Sequence, residues 1–191
     1  MTSKEQPLSK KQSLGIINEM IQRAKGEFKE SAFYFLLWGW VIIAGSISHF
    51  VLLQYSSFPH PEWAWAIIII GIVASFTKGI RDKELSGATT YSSHIHTTVW
   101  TVFMINYFIV LFFISEINSY ITPLILIMAA SSTYLSGAII KFRPLKWGAG
   151  FIWLMGVLSF MISLPHQLLT AAAAVFVGYL VPGYILKNNE E

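Results

Sequence analysis

The sequence predicts an all-α membrane protein, a six-helix transmembrane bundle built from three hairpins and preceded by an N-terminal cytoplasmic amphipathic helix. Of its 191 residues, 54% are hydrophobic and 12% are charged, whereas a water-soluble domain averages about 25% charged residues. The apolar residues form six separate stretches, and every Lys and Arg falls on one side of them. This composition excludes disordered, collagen-like and coiled-coil chains and is atypical of a water-soluble domain.

Residues 1–32 form the N-terminal segment, for which we predict a helix over residues 9–31. Its apolar side chains recur every three or four residues and therefore share one helix face; they are Leu14, Ile17, Ile21, Ala24 and Phe28. Two interpretations stay open. The helix lies along the headgroups of the lipid bilayer, or it docks on a cytoplasmic partner protein or a second copy in a homodimer. A nucleic-acid partner is not predicted, because a basic segment of this size is ordinary beside a membrane.

Six apolar stretches are long enough to span a membrane, for which about 20 residues are needed and about 17 are the minimum. They contain no Asp, Glu or Arg, and one Lys, Lys78, near the end of the second stretch. The transmembrane domain is predicted over residues 33–186 and a cytoplasmic tail over residues 187–191. The six stretches are Phe33–Gln54, Trp63–Gly79, His94–Ser115, Tyr120–Ile140, Gly148–Leu164 and Gln167–Leu186.

The basic residues orient these spans. All 13 Lys and Arg residues lie before span one or at the ends of spans two, four and six, and the connections after spans one, three and five contain none. Cytoplasmic loops carry the excess of Lys and Arg, so both termini are predicted to be cytoplasmic. The short outer connections pair the helices as three hairpins, span one with two, three with four, and five with six.

The missing residue types exclude several chemistries. With no Cys, disulfides, thiolate nucleophiles, Cys-ligated zinc and iron–sulfur clusters are excluded. Carboxylates inside a membrane mark proton paths and hydrolytic centres, and the six spans contain none. We therefore expect no catalytic residues, no cofactor and no enzymatic activity.

Imidazole and carboxylate side chains gather on the predicted outer face, where Lys and Arg are absent. They are the metal candidates of the chain, because both types bind Zn²⁺ or similar cations: His49, His60, His166, Glu62 and Glu116. A haem held by His49 and His166, a pH-responsive cluster and ordinary solvated residues stay open as well. An unperturbed imidazole titrates near pH 6.5, so acidification would move the charge of this face from about −2 to about +1.

Small residues spaced by four predict close helix packing, which compensates for the missing hydrophobic drive in lipid. They are Gly71 and Ser75 in span two, Ser132 and Ser136 in span four, and Ala174 and Gly178 in span six. The alternative is a substrate path lined by Asn106, Ser131, Ser132 and Thr133. Pro182 opens one backbone hydrogen bond in span six.

Several segments resemble a known group of proteins. They are Ile17-Asn-Glu-Met-Ile-Gln-Arg-Ala-Lys25, Phe33-Tyr-Phe-Leu-Leu-Trp-Gly-Trp40, Lys141-Phe-Arg-Pro-Leu-Lys146 and Val181-Pro-Gly-Tyr-Ile-Leu186. The chain resembles, over essentially its whole length, uncharacterised six-span integral membrane proteins of Bacteroidota bacteria. The resemblance implies a bacterial cytoplasmic (inner) membrane and no particular activity.

We therefore expect a multi-pass bacterial inner-membrane protein that is non-enzymatic and has a regulatory or stress-related role. The alternative is a small-solute transporter or channel, alone or as a dimer. The polar lining discriminates between the two, since a transporter should expose Asn106 and the Ser/Thr face of span four to a water-filled cavity.

Overall fold

The computed structural model describes the backbone of residues 10–86 and 91–188 and the side chains of residues 32–81 and 94–188. All regular structure in these ranges is helical, which confirms the all-α prediction. The helices are α1 (Lys10–Tyr55), a 3-10 helix (Pro61–Ile67) that continues as α2 (Ile68–Ser86), α3 (Tyr91–Phe112), α4 (Ile114–Ile117), a 3-10 turn (Asn118–Tyr120) before α5 (Ile121–Ile139), α6 (Arg143–Ser159), α7 (Leu164–Val175), a π-helical turn (Phe176–Leu180) and α8 (Val181–Asn188).

The N-terminal segment and the first span form one helix. α1 contains 46 residues and is about 70 Å long at 1.5 Å per residue. No proline occurs between Lys10 and Tyr55, so nothing in the sequence interrupts the backbone hydrogen bonds. The predicted N-terminal helix is thus continuous with the first span rather than a separate element. The side chains of its predicted apolar stripe lie outside the described residues: Leu14, Ile17, Ile21, Ala24 and Phe28.

Five helical segments within the described ranges are long and apolar enough to cross a membrane, which indicates a membrane protein: Ala32–Tyr55, Pro61–Arg81, His94–Phe112, Ile114–Ile139 and Leu164–Asn188. The remaining predicted span, Gly148–Leu164, corresponds to α6, which has 17 residues and is about 25 Å long. That is shorter than the roughly 30 Å hydrocarbon core. α6 ends at Ser159 because the amides of Phe160 and Met161 donate to the carbonyls of Val157 and Leu158, three residues earlier, where an α-helix would bond four residues back.

The three predicted hairpins are present. α1 pairs with the 3-10 helix and α2, α3 pairs with α5, and α6 pairs with α7 and the π-helical turn. The hairpins join through extensive packing of α5 on α6 and of α1 on α7 and α8. α1, α5, α6 and the α7–π–α8 rod therefore enclose the core, while α2 and α3 lie at the periphery with most of their side chains exposed.

Antiparallel packing gives the bundle two chemically different ends. Toward one end, the Trp40 Nε1–H donates to the Tyr184 hydroxyl at 3.3 Å. At the other end, the rings of Tyr120 and Phe160 lie 5.7 Å apart. The basic end carries Lys78, Arg81, Lys141, Arg143, Lys146 and Lys187. The acidic end carries His49, His60, Glu62, Glu116 and His166.

The π-helical turn is a consequence of Pro182. Proline has no N–H, and its ring clashes with the carbonyl four residues earlier, here that of Gly178. The backbone widens one turn ahead, where the Val181 amide donates to the Phe176 carbonyl five residues back. The bond that the sequence predicts to open is accommodated by this register change, and Pro182 and Gly183 stay buried.

The turn between α5 and α6 is a Schellman motif with an unfavourable residue. The Phe142 amide donates to the Gly137 carbonyl at 2.9 Å and the Lys141 amide donates to the Ala138 carbonyl at 3.2 Å, which is the bonding pattern of this helix end. Lys141 occupies the left-handed position with φ 54°. Glycine is usual there, because a Cβ atom costs about 1–2 kcal/mol in this conformation.

We therefore expect Lys141→Gly to raise the free energy of unfolding by about 1 kcal/mol relative to Lys141→Ala. Both substitutions remove the charge and the long side chain, and they differ in the Cβ atom alone. Unfolding of the two variants in detergent by titration with dodecyl sulfate gives the comparison. Equal stabilities would show that Lys141 is not strained.

Candidate functional site

A hydrogen bond between α1 and the 3-10 helix is the most specific polar contact at the acidic end. The Trp65 Nε1–H donates to His49 Nδ1 at 3.0 Å, and both side chains are half-buried. Gly45 lies one turn before His49, and a Cβ atom there would lie 3.0 Å from Trp65 Cε3. The indole therefore rests directly on the α1 backbone, which aims its N–H at the imidazole.

This bond fixes the protonation state of His49. An indole nitrogen is a donor only, so Nδ1 must present a lone pair, and the ring must be neutral with its proton on Nε2. Protonation would place a second N–H against the indole N–H and break the bond. Glu62 lies on the same 3-10 helix as Trp65, close enough for its carboxylate to interact electrostatically with His49.

A second imidazole pairs with this carboxylate. His60 Nδ1 lies 2.9 Å from Glu62 Oε1, and the two side chains are 59% and 60% exposed. A carboxylate accepts only, so Nδ1 of His60 donates. An ion pair this exposed contributes little to stability. Its effect is to hold a negative charge beside the His49–Trp65 bond.

The other two candidates lie elsewhere at the acidic end. Ser163 Oγ lies 2.8 Å from His166 Nδ1 at the start of α7. This nitrogen of His166 is therefore engaged by a neighbouring side chain. Glu116 is exposed in α4, in the connection between α3 and α5. No group of three or more His, Asp or Glu residues in the described chain is arranged to hold a metal ion. The metal candidates thus lie in α1, around the 3-10 helix that follows it, in α4 and at the start of α7, and no three of them form one group.

The candidate transport lining is divided as well. Asn106 is exposed on α3, and its Nδ2 donates to its own helix at the Val102 carbonyl, 2.8 Å away. Ser132 and Thr133 lie in the core at 7% and 0% exposure, and Ser131 Oγ donates to the Ile127 carbonyl at 2.9 Å. Asn106 and the polar face of α5 therefore do not face a shared water-filled cavity.

The predicted helix-packing residues lie between helices. Gly71, Ser132, Ser136, Ala174 and Gly178 are buried, and Ser75 is half-buried. A Cβ atom on Gly71 would meet the Trp38 ring at 3.3 Å, so α2 approaches α1 closely. Gly178 contacts Gly148 on α6. The sequence analysis did not identify Gly148, because no small residue lies four positions before or after it.

Sequence reasoning also missed a buried aromatic cluster nearer the basic end. Tyr179, in the π-helical turn, is 2% exposed and its hydroxyl lies 3.4 Å from Thr133 Oγ1 on α5. Its ring lies 5.4 Å from that of Phe35 on α1 and 6.4 Å from that of Trp100 on α3. Four elements therefore meet at Tyr179. The available signal was Pro182, three residues further on.

Comparisons of the chain with protein families, with curated proteins and with solved structures gave no match.

The His49–Trp65 bond has a testable pH dependence. Trp65→Phe removes the indole donor and should lower the free energy of unfolding by about 1 kcal/mol at pH 7.5. The bond requires neutral His49, so its contribution is present at higher pH and is lost as acidification protonates the ring. The deficit of Trp65→Phe should therefore shrink at pH 5.5.

Trp63→Phe is the matched control, because Trp63 is exposed in the same 3-10 helix and its indole does not bond to His49. Stability in detergent at pH 7.5 and 5.5 is measured for both variants and the wild type. A Trp65→Phe deficit that is unchanged by pH would contradict the assigned protonation state.

Proposed function

We propose that this chain is a non-enzymatic, multi-pass protein of a bacterial cytoplasmic membrane, with both termini cytoplasmic, and that it has a regulatory role as an acid-stress sensor. Protonation at the outer, acidic end is the input. The cytoplasmic part of α1 is the output, and it engages a partner protein or the membrane surface.

The observation that carries the proposal is the continuity of α1. This helix contains both His49 and the N-terminal segment from Lys10 without a break. Successive turns of an α-helix are joined by backbone hydrogen bonds, so a rotation or a shift imposed at His49 moves the other end as well. If the N-terminal helix were a separate element joined to the span by a flexible linker, the linker would absorb that motion.

The position of α1 in the bundle supports this function. Its buried face includes Ala32, Phe35 and Ile43 and packs on the α7–π–α8 rod. α1 also contacts the 3-10 helix and α2. Trp65 of this 3-10 helix donates the hydrogen bond to His49. Loss of this bond changes how α1 is held on one side while the rod still holds it on the other.

The charge distribution supports the orientation. All basic residues of the described bundle lie at one end, and excess Lys and Arg are typical of cytoplasmic loops. The acidic end then faces outward, where environmental acidification acts on it directly. Histidine is the residue type whose charge ordinarily changes between neutral and mildly acidic pH, and His49 lies at this end.

The alternative function, a small-solute transporter or channel, requires a water-filled path. Two of the hydroxyls that would line it are buried against neighbouring helices, with Ser132 at 7% and Thr133 at 0% exposure. Thr133 Oγ1 donates to the Ala129 carbonyl of its own helix at 2.7 Å. The packing of a single chain therefore favours the regulatory function.

The experiment measures motion at one end of α1 after acidification at the other. The chain has no native Cys, so Ile17→Cys supplies a single thiol on the predicted apolar stripe. Its rate of labelling by a membrane-permeant reagent is followed in spheroplasts while the external pH falls from 7.5 to 5.5 and the internal pH is clamped. We expect the rate to change severalfold.

His49→Gln should abolish this response, because glutamine can still accept from Trp65 and does not titrate. His94→Gln, which changes an exposed imidazole at the basic end, is the control and should respond like the wild type. A response that survives in His49→Gln would refute the proposed input. A response to internal acidification alone would refute the orientation.

A further inference from the structure

A cluster of cations at the turn between α5 and α6 lacks acidic neighbours along the chain. Lys141 and Arg143 are exposed and Lys146 is half-buried. The sequence has no Asp or Glu between Glu116 and Glu190. Three positive charges therefore lie within six residues, and none of them forms an ion pair within the described part of the chain.

Below this cluster, α6 presents an apolar face with a gap in it. Trp147 is 81% exposed, and Leu154 and Val157 are more than half exposed. Together with Gly150 these residues recur every three or four positions, so they share one face of α6. Gly150 lies at the middle of that face, and no atom lies within 4 Å of the position that its Cβ would occupy.

The gap at Gly150 is bounded by aromatic side chains. Trp153 of α6 packs on Tyr134 of α5, with ring centroids 5.6 Å apart, and this pair forms the wall on the α5 side. Trp147, one turn before Gly150, forms the opposite wall. Lys146 stays on the α5 side, since its Cγ approaches Gly137 of α5. We call the open surface over Gly150, between Trp147 and the Tyr134–Trp153 pair, the groove.

We propose that this groove binds one anionic phospholipid. The phosphate lies between Arg143 and Lys146, and one acyl chain lies on Gly150 between Trp147 and the Tyr134–Trp153 wall. Guanidinium and ammonium groups are the usual donors to phosphate. Aromatic side chains at this depth are typical of the region where headgroup and acyl chain meet.

Charge complementarity selects this occupant. A second copy of the chain would bring the same three cations to the interface, and a zwitterionic lipid would leave them uncompensated. The first turn of α6 adds to the preference, because its amides point toward this end and its Phe142 cap makes no side-chain hydrogen bond. The proposal does not depend on the sensing function.

Native mass spectrometry of the full-length, delipidated protein in detergent tests the site. The protein is titrated with phosphatidylglycerol and, separately, with zwitterionic phosphatidylethanolamine. We expect one phosphatidylglycerol to bind at concentrations at which phosphatidylethanolamine does not. Arg143→Gln combined with Lys146→Gln should weaken that binding about 30-fold, since each juxtamembrane cation contributes about fivefold.

Gly150→Leu fills the groove and leaves the charges in place, so it should also abolish retention of the lipid. Gly150→Ala fills it in part and should have a smaller effect in the same direction. Two controls are matched to these changes. Lys187→Gln removes a cation of the same end outside the groove, and Ala173→Leu adds bulk on an exposed part of α7. Both should bind like the wild type, and their thermal unfolding, with that of the groove variants, verifies folding.

Wild-type binding by both Gly150 variants would overturn the proposal, because it would leave the groove without a role. An equal loss in Lys187→Gln would overturn it by showing a general charge effect. Displacement of the lipid by glycerol phosphate at comparable concentration would also overturn it, since the headgroup alone would then account for binding. A lipid-independent dimer that Gly150→Leu abolishes would assign the groove to a second copy instead.

Discussion

The bundle depends on a direct backbone contact between α6 and the π-helical turn. A Cβ atom on Gly148 would lie 2.9 Å from the Gly178 carbonyl oxygen and 3.0 Å from its Cα. Lipid tails are as apolar as side chains, so helices in a membrane associate through close packing rather than through the hydrophobic effect. This contact brings α6 onto the rod that holds α1. The position of α1, and with it the proposed coupling between the two ends, follows from how closely the rod is packed.

The same contact explains how the rod tolerates an irregular backbone. Pro182 forces a register change within a span, and free carbonyls in hydrocarbon are costly. The π-helical turn keeps its backbone buried against α6, and Tyr179 points from it to Thr133 in the core. The irregular backbone caused by Pro182 is therefore stabilised by two tertiary contacts, that of Gly178 with Gly148 and that of Tyr179 with Thr133. The resulting four-element junction at Tyr179 anchors the rod, while the hydrogen bond of Trp65 to His49 holds the opposite side of α1.

Much of the fold follows from composition and periodicity, because a bilayer imposes helix length and separates charges. The hairpins and the common end of the basic residues were predicted on these grounds. The continuity of α1 was not, since a change from polar to apolar residues at position 32 does not interrupt helical hydrogen bonds. The early end of α6 depends on turn geometry at Phe160. In the candidate site, the histidines were found by residue type. Their partners Trp65 and Ser163 were not. The Trp65–His49 bond joins two helices and has no sequence spacing, and the Ser163–His166 contact depends on the conformation of the turn before α7.

The most direct test compares two glycines of α6 that differ in their surroundings. Gly148→Ala and Gly150→Ala gain the same helix propensity, up to about 1 kcal/mol, so their difference isolates the backbone contact. The free energy of unfolding in detergent is measured for each. Gly150→Ala should equal or exceed the wild type, since nothing lies within 4 Å of the new atom. Gly148→Ala should be less stable than the wild type by about 1–3 kcal/mol, the usual cost of overpacking. Equal changes in the two variants would contradict the claim that the bundle is held by this contact.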